Sequence, residues 1–596
     1  MREYNTLPQM LFSQVAKYGD RDALLYKVGE EYIPISWNAF ATMVREVGAG
    51  LISLGVKEGD RVGLMSYNRP EWVVADFAIM SIGAITVPIY HTSTTARTNF
   101  ILDKTKADVA FVARSEKAEM LATCEAPIQR IISLDPKGAD SPGSCGYDYP
   151  QLRELGATGL QADLGKELEK RLQKIKTDDC ATIIFTSGTT GEPKGVMLSH
   201  KNLLENAAAG LAAVQVGPDD VFLSFLPLSH SFERTVGEYL MLMAGATVAY
   251  AASLRSVADN INEVHPTIML GVPRFYEKLY SRVMEKINAA PAIRQKIFHW
   301  GMKVGRQCRL LAMEGENPPA KLRFSRFLAE HLVFAKLKKR LGGRLRFFVS
   351  GGAPLAQEIG EFFLNAGVDI LEGYGLTEFS PVISVNRIGR IRPGTVGLPF
   401  PGVEVKIAED GELLVRGPSV MLGYYQDEEA TKEAIKDGWL YTGDKAVLED
   451  GYIRIVDRKK DIIVTSGGKN IPPQLIEGLV ATDEFIAQIM LYGDRKKFIS
   501  ALVVPDYERL ATELPKLGLD ENATPEELAG NKKIYGLLMK RIEERTKDLP
   551  AYEHVKKIFI LPEQFTEERG ELTPTMKVKR KEVTRKYQKE LDALYE

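Results

Sequence analysis

The chain has 596 residues, 45% hydrophobic and 26% charged, with a formal net charge of −2. That length exceeds what one hydrophobic core usually organises, so more than one domain is expected. The near-neutral balance gives no global attraction for nucleic acid. The four cysteines (Cys124, Cys145, Cys180, Cys308) show neither CxxC spacing nor a disulfide frame, which suggests a reducing compartment.

The N-terminal MREYNTLPQMLF lacks the charged-then-apolar layout of a signal peptide. Thr6 and Gln9 form a capping-box-like pair ahead of a helix with Leu7, Met10, Leu11 and Val15 on one face. Ser36 opens a second helix, with Phe40, Met43, Val44, Val47 and Leu51 at helical spacing and Gly55 at its end. A strand over 61–67 follows. Residues 72–90 are nearly long and apolar enough to span a bilayer, but Asp76, Gly83 and Pro88 predict a buried helix ending near Gly83 and then a strand over 84–90. A helix over 95–106, strands over 107–113 and 128–134, and a Pro/Gly/Ser/Asp-rich loop over 136–149 continue the pattern.

The strand-like run 181–185 leads into Thr186–Gly195, TSGTTGEPKG, and then a helix capped by Ser199 or Asn202. Glycines let backbone N–H groups approach phosphate oxygens, hydroxyls add donors, and Lys194 supplies charge. The spacing departs from the common GxxxxGK[ST] loop, and a solvated turn is the competing reading. Strands over 221–227, 247–251 and 267–273, with a helix near 231–243, resume the alternation of an α/β protein with a largely parallel sheet. A mostly helical excursion over about 282–341 interrupts it. Strand-like 344–350, the Gly351-Gly352-Ala353 turn and strand-like 368–371 restore it. Glycine-punctuated short runs over 394–456 predict an antiparallel, barrel-like piece. A boundary at 458–461 divides an N-terminal domain, 1–458, from a C-terminal α+β domain, 459–596, in which Thr524, Pro525 and Glu527 open a helical segment over 524–547.

Four further stretches carry chemistry. In EGYGLTEFS (372–380), Tyr374 can stack on a base, Gly375 and Thr377 can approach a phosphate, and Glu378 can hold Mg²⁺. GWLYTGD (438–444) ends in Asp444 on a glycine turn, a carboxylate suited to vicinal ribose hydroxyls. VDRKKDIIVTSGGK (456–469) joins a charge cluster to Ser466-Gly467-Gly468, and LTPTMKVKRK (572–581) is a basic tail segment. Alone, each also reads as an ordinary turn or solvated charge run.

In this order, the five stretches resemble the adenylate-forming superfamily over nearly the whole chain. LPLSHSFER (226–234), the helical excursion and LTPTMKVKR point to its long-chain fatty acyl-CoA synthetase branch. The resemblance implies a two-step, ATP-dependent ligation with Mg²⁺ and CoA, through an acyl-adenylate, by a large layered α/β domain and a small mobile one. It implies that Thr186, Ser187, Gly188, Thr189, Thr190, Gly191 and Lys194 hold the β- and γ-phosphates, with Thr186 and Glu378 on the metal. Gly351, Gly352 and Ala353 would border the adenine with Tyr374. Gly375 and Thr377 would lie near the α-phosphate, and Asp444 and Arg458 on the ribose. Lys460 would sit at the hinge and Ser466, Gly467 and Gly468 along the pantetheine channel. His230 would lie near the acyl and α-phosphate groups, a structural histidine being the alternative. Lys577 would bridge carboxylate and α-phosphate. Met576 stands where the superfamily commonly has glycine, and nearby Lys579 leaves the register open between the two lysines.

Partners implied are a long-chain fatty acid, ATP and CoA, with a cytoplasmic location. A basic amphipathic stretch over 320–341 adds peripheral membrane contact as an expectation, against helices packed over an acyl tunnel, and a homodimer is a further one. Other carboxylates (very-long-chain, branched or aryl), or a silent fatty-acid-binding or uptake protein, remain as alternatives.

Overall fold

Two sheets and the helices between them set the frame. A computed structural model describes residues 4–113, 115–122, 128–136, 146–186, 192–313, 315–573 and 576–596. The first sheet has eight strands, in the order Gly423–Tyr424, Lys194–Ser199, Cys180–Thr186, Ile85–Ile89, Arg61–Met65, Val109–Val112, Arg130–Ser133 and Tyr147–Asp148. From Cys180–Thr186 onward the pairings are parallel. The second has nine, in the order Leu398–Pro399, Val382–Val385, Asp369–Gly375, Phe347–Ser350, Ile268–Gly271, Val221–Ser224, Thr247–Tyr250, Asp22–Val28 and Glu31–Ser36. One apolar core draws on strands of both sheets and on the helices Pro70–Ser81 and His200–Ala213. A third, five-stranded antiparallel sheet is built from Glu404–Ile407, Glu412–Arg416, Ile435–Lys436, Trp439–Glu449 and Tyr452–Arg458. This is the piece expected from the glycine-punctuated runs.

Pro70–Ser81 explains the bilayer-like stretch. Almost every residue of that helix is buried, because it lies within the core rather than on a surface. Among the described residues no helix is long and apolar enough to cross a membrane. Its one buried acid, Asp76, meets a fully buried Arg234: Arg234 Nε donates to Oδ2 at 3.0 Å, Tyr239 Oη donates to Oδ2 at 2.6 Å, and Thr86 Oγ1 donates to Oδ1 at 2.8 Å. Arg234 Nη1 also donates to Thr182 Oγ1 at 2.7 Å. The network therefore ties the strand that carries the glycine-rich loop to the segment carrying His230. Arg234 lies in a π-helical turn, Glu233–Leu240, all of it buried, where a plain helix is expected over 231–243.

Several elements differ from expectation in ways the physics explains. Between the glycine-rich loop and its helix lies a strand, Lys194–Ser199, hairpinned back on Cys180–Thr186. Ser199 is the cap of the helix that follows, and Asn202 is the reciprocal partner in a capping box. The helical excursion begins earlier, at Pro273, with Pro273–Asn288, Ala292–Met313, Ala320–Ala329 and Ala335–Arg340. The helical segment expected over 524–547 is two helices, Pro525–Ala529 with its Thr524/Glu527 capping box and Lys532–Thr546. Asp444 is not on a tight turn: it lies within the long strand Trp439–Glu449, just after Gly443 at φ +73°.

The small domain has its own cores, drawn from residues between Ile463 and Leu591. A three-stranded sheet, Ile486–Tyr492, Ile499–Pro505 and Val555–Ile560, packs against Pro473–Val480 and Lys532–Thr546.

Candidate active site

The site forms where strand ends of the large domain meet one turn of the small domain. Thr186 ends its strand opposite Lys194 in register. Ser187, Gly188, Thr189, Thr190 and Gly191 lie outside the described residues. The Lys194 ammonium sits 5.0 Å from the centroid of the Tyr424 ring, and Tyr424 Oη donates to Glu378 Oε1 at 3.0 Å. Lys194 and Glu378, far apart in sequence, are therefore joined through one aromatic side chain. Burial pushes the Glu378 carboxyl above its usual range.

The strand Asp369–Gly375 carries Tyr374 to the same place. Gly375 is required there by close approach, since a Cβ would fall 1.9 Å from the Pro381 carbonyl oxygen. Beyond it, the short turn Thr377–Phe379 holds the Thr377 hydroxyl 3.0 Å from Ser231 Oγ. The neighbouring strand Phe347–Ser350 pairs Ser350 with Glu372, so the turn at Gly351, Gly352 and Ala353 leaves the sheet beside Gly373 and Tyr374. Gly351 is buried against Phe232, whose ring would lie 2.8 Å from a Cβ. Gly352 and Ala353 are exposed. Strand ends of this kind, at the carboxyl edge of a parallel sheet, are where α/β folds place ligands.

Tyr374 Oη donates to Asp444 Oδ2, and Asp444 faces Arg458 across the hairpin with Nε 3.5 Å from Oδ1. Burial raises the Asp444 carboxyl; the Arg458 and Lys577 charges and the tyrosine hydrogen bond pull it back. The arrangement is a buried carboxylate with one aromatic hydroxyl and two nearby cations.

Lys577 comes from the small domain. It sits on a turn closed by Thr573 N–H donating to Lys577 O at 2.8 Å and Lys577 N–H donating to Thr573 Oγ1 at 3.0 Å. Burial, then the Arg458 charge, lower its ammonium to about 8, with Asp444 and Asp461 opposing. The same charge reaches His230, which burial and then Lys577 hold down at about 4. His230 is therefore neutral near pH 7, and its Nδ1 accepts the Phe232 N–H at 3.1 Å, leaving the proton on Nε2. Lys579 has a different environment: its charged neighbours are Arg97, Glu567 and Glu582. Met576 holds φ +63°, a left-handed conformation that glycine adopts at little cost.

Four of the anticipated residues stand apart. Lys460 is exposed on the turn after Tyr452–Arg458. Ser466, Gly467 and Gly468 are exposed on a tight turn of the small domain, where Ser466 N–H donates to Lys496 O at 2.9 Å and Gly468 N–H to Thr465 O at 2.9 Å. Sequence reasoning missed Tyr424, Ser231 and Asp461. Ser231 had a signal, as the neighbour of His230 in LPLSHSFER; Tyr424 had none, since it meets Glu378 only through folding.

A recessed carboxylate, the end of the strand Cys180–Thr186 and a lysine from a second domain thus converge on one place. The chain belongs to the AMP-binding enzyme family: its family model matches residues 11–425, and that of the AMP-binding enzyme C-terminal domain matches 460–596. Relatives include the Mycobacterium bovis long-chain-fatty-acid–CoA ligase FadD15, 36% identical over 100% of this chain and 97% of that one. The human long-chain-fatty-acid–CoA ligase 1 is 32% identical over 96% of this chain and 83% of that one. Among solved structures, the adenylation domain of a carboxylate reductase from Mycobacterium chelonae matches with a TM-score of 0.77 at 21% identity, covering 100% of this chain and 92% of that one. An anthranilate CoA ligase in complex with anthranoyl-AMP matches with a TM-score of 0.72 at 20% identity, over 99% and 98%.

Proposed function

We propose that this enzyme activates long-chain fatty acids to acyl-CoA at the expense of ATP, in two steps carried by two orientations of the small domain, 459–596, about a hinge at Lys460. The observation that carries this is the Lys577 charge lying within electrostatic reach of Asp444, Arg458 and His230, together with full-length similarity to long-chain fatty acid–CoA ligases. In the first step a carboxylate oxygen of the fatty acid bonds to the α-phosphorus and the bond to pyrophosphate breaks. The acid is already ionised at neutral pH, so the step needs little proton transfer. It does need two anions brought together, and the Lys577 ammonium at their meeting point stabilises the charge that develops there. Tyr374 and the Gly351–Ala353 turn border the base, Asp444 and Arg458 grip the ribose, Thr377 and Gly375 face the α-phosphate, and the Thr186–Lys194 loop takes the β- and γ-phosphates. His230, neutral with a free Nε2–H, donates toward the acyl or α-phosphate oxygens.

Glu378 and Thr186 are hard oxygen donors, and the raised carboxyl of Glu378 is the state a nearby dication would reverse; the pair fits Mg²⁺. The ion supplies charge neutralisation of the phosphates when bound. In the second step the CoA sulfur attacks the acyl carbonyl carbon and AMP leaves. Ser466, Gly467 and Gly468 then edge the pantetheine channel, which requires the small domain to turn. Pyrophosphate release on adding palmitate, followed by CoA-dependent AMP formation across carboxylates of graded length, tests the reading. A protein that binds ATP but releases no pyrophosphate with lipid acids would be a binding or uptake protein instead.

Peripheral membrane contact through 320–341 has a specific observation in its favour. Phe324, Phe327 and Leu332 are 63%, 57% and 50% exposed, among exposed Lys321, Arg323, Lys336, Lys339 and Arg340. An apolar row flanked by cations suits an anionic lipid surface, where the substrate resides. Phe324→Glu/Phe327→Glu should abolish co-sedimentation with phosphatidylglycerol vesicles, and binding that ignores salt and anionic lipid would refute it.

A further inference from the structure

Beyond the hinge, three polar side-chain pairs join the domains among the described residues. Arg509 Nη2 lies 2.7 Å from Glu285 Oε2, Arg545 Nη1 lies 3.2 Å from Glu358 Oε2, and Thr92 Oγ1 donates to Glu567 Oε1. The Arg545–Glu358 pair is held in place from both sides. Arg545 is also anchored within its own domain, by Asp483 at 3.5 Å and the Thr482 carbonyl at 3.3 Å, and Glu358 accepts the Tyr280 hydroxyl at 3.0 Å. Arg509 stands in a short helix whose Asp506 cap accepts its backbone N–H at 3.2 Å. Their acidic partners lie on Pro273–Asn288, the first helix of the excursion, and on Gln357–Asn365, which packs against that excursion. The helical excursion therefore gives the large domain a shelf for the small domain to rest on.

These contacts coexist with the arrangement that puts the Lys577 charge beside Asp444 and His230. The Ser466–Gly468 turn, by contrast, is exposed and bonded within its own domain. A rotation of the small domain that carries that turn to the adenylate breaks the pairs that join the domains here.

We infer that Glu285 and Glu358 are positioning residues for adenylate formation: with Arg509 and Arg545 they form an electrostatic clamp that favours the small-domain orientation placing Lys577 at the nucleotide, and the clamp opens before thioester formation. This deepens, and rests on, the two-orientation reading proposed above. Each partly exposed pair shifts a two-state population by roughly twofold to fivefold, and the contribution is screened by salt. Such a clamp is strong enough to bias the first step and weak enough to release in every cycle.

The test is the double variant Glu285→Gln/Glu358→Gln of the full-length enzyme, assayed separately for pyrophosphate release with palmitate and for acyl-CoA formation from supplied palmitoyl-adenylate. At low ionic strength the first half-reaction should fall roughly fivefold to tenfold while the second is unchanged or faster, and the difference from the parent should shrink at about 1 M salt. Unchanged pyrophosphate release at low salt would overturn the clamp, as would loss of the second half-reaction, alone or in step with the first. Lys577→Ala, run in parallel, separates the two levels of inference. If it splits the half-reactions and the double variant does not, only the clamp fails; if Lys577→Ala does not split them, the two-orientation reading fails with it.

Discussion

The Asp444–Glu378 side of the site and the lysine side are built by opposite means. Around Asp444 and Glu378 the groups are recessed, bonded to one another and carried on strands of large sheets. They stand above a buried Asp76–Arg234 network that binds the glycine-rich strand to the His230 segment. Lys577 instead sits on a short turn with a left-handed Met576, in a domain with its own cores and with partly exposed ion pairs as partners across the boundary. The recessed groups are locked by burial, whereas the domain proposed to move is held by contacts water can replace.

The largest break in this comparison is Lys577→Ala. Removing a cation from the point of developing charge should cost adenylate formation a factor on the order of 10²–10³, while acyl-CoA formation from supplied acyl-adenylate persists. Single-turnover assays of each half-reaction decide it, and equal loss of both would count against the assignment. Next is Asp76→Ala, which leaves Arg234 buried and unpaired. That should cost about 3–5 kcal/mol of stability, read as a lower midpoint in urea unfolding, with a change under about 1 kcal/mol contradicting the buried-network account.

The pH dependence of the first step sharpens the contrast. The Lys577 ammonium is lowered to about 8, so the required charge is complete below that value and is lost as pH rises through it. Adenylate formation should decline tenfold per pH unit above about 8, and in Lys577→Arg, whose charge persists, the decline should vanish. The smallest effect is Met576→Gly. Relief of a left-handed backbone gains about 1–2 kcal/mol, against about 0.5–1 kcal/mol of extra chain entropy lost on folding. A net gain below about 1.5 kcal/mol, with adenylation intact, is expected from thermal unfolding and activity together.

Much of the fold was legible because its signals are local. Thr6, Ser36, Ser199 and Thr524 all cap helices as their spacing suggests. Asp76 and Gly83 correctly marked a core helix where hydropathy alone suggests a bilayer span. What escaped depends on distant partners. The hairpin Asp22–Val28/Glu31–Ser36 is only half-buried and alternates weakly, and the strand Lys194–Ser199 is concealed by the glycine-rich loop before it. Asp444 was expected on a turn because Gly443 precedes it; the strand continues through that glycine because Arg458 and Asp457 pair with it across the hairpin. Tyr424 reaches Glu378 only after folding and has no signature of its own, whereas Ser231, which reaches Thr377, is marked only by its place beside His230. The motif residues were nominated because phosphate and ribose favour particular residue types at short spacing, and the fold does bring Tyr374, Asp444 and Arg458 together.

The central claim is that one domain serves two steps by turning. Cysteines placed by Glu358→Cys and Arg545→Cys, joined by a short bis-maleimide, would fix the small domain in the orientation described here. The linked enzyme should form acyl-adenylate and release pyrophosphate once, then stall before acyl-CoA, whereas the unlinked double variant completes the cycle. A linked enzyme that turns over to acyl-CoA at the unlinked rate would contradict the account.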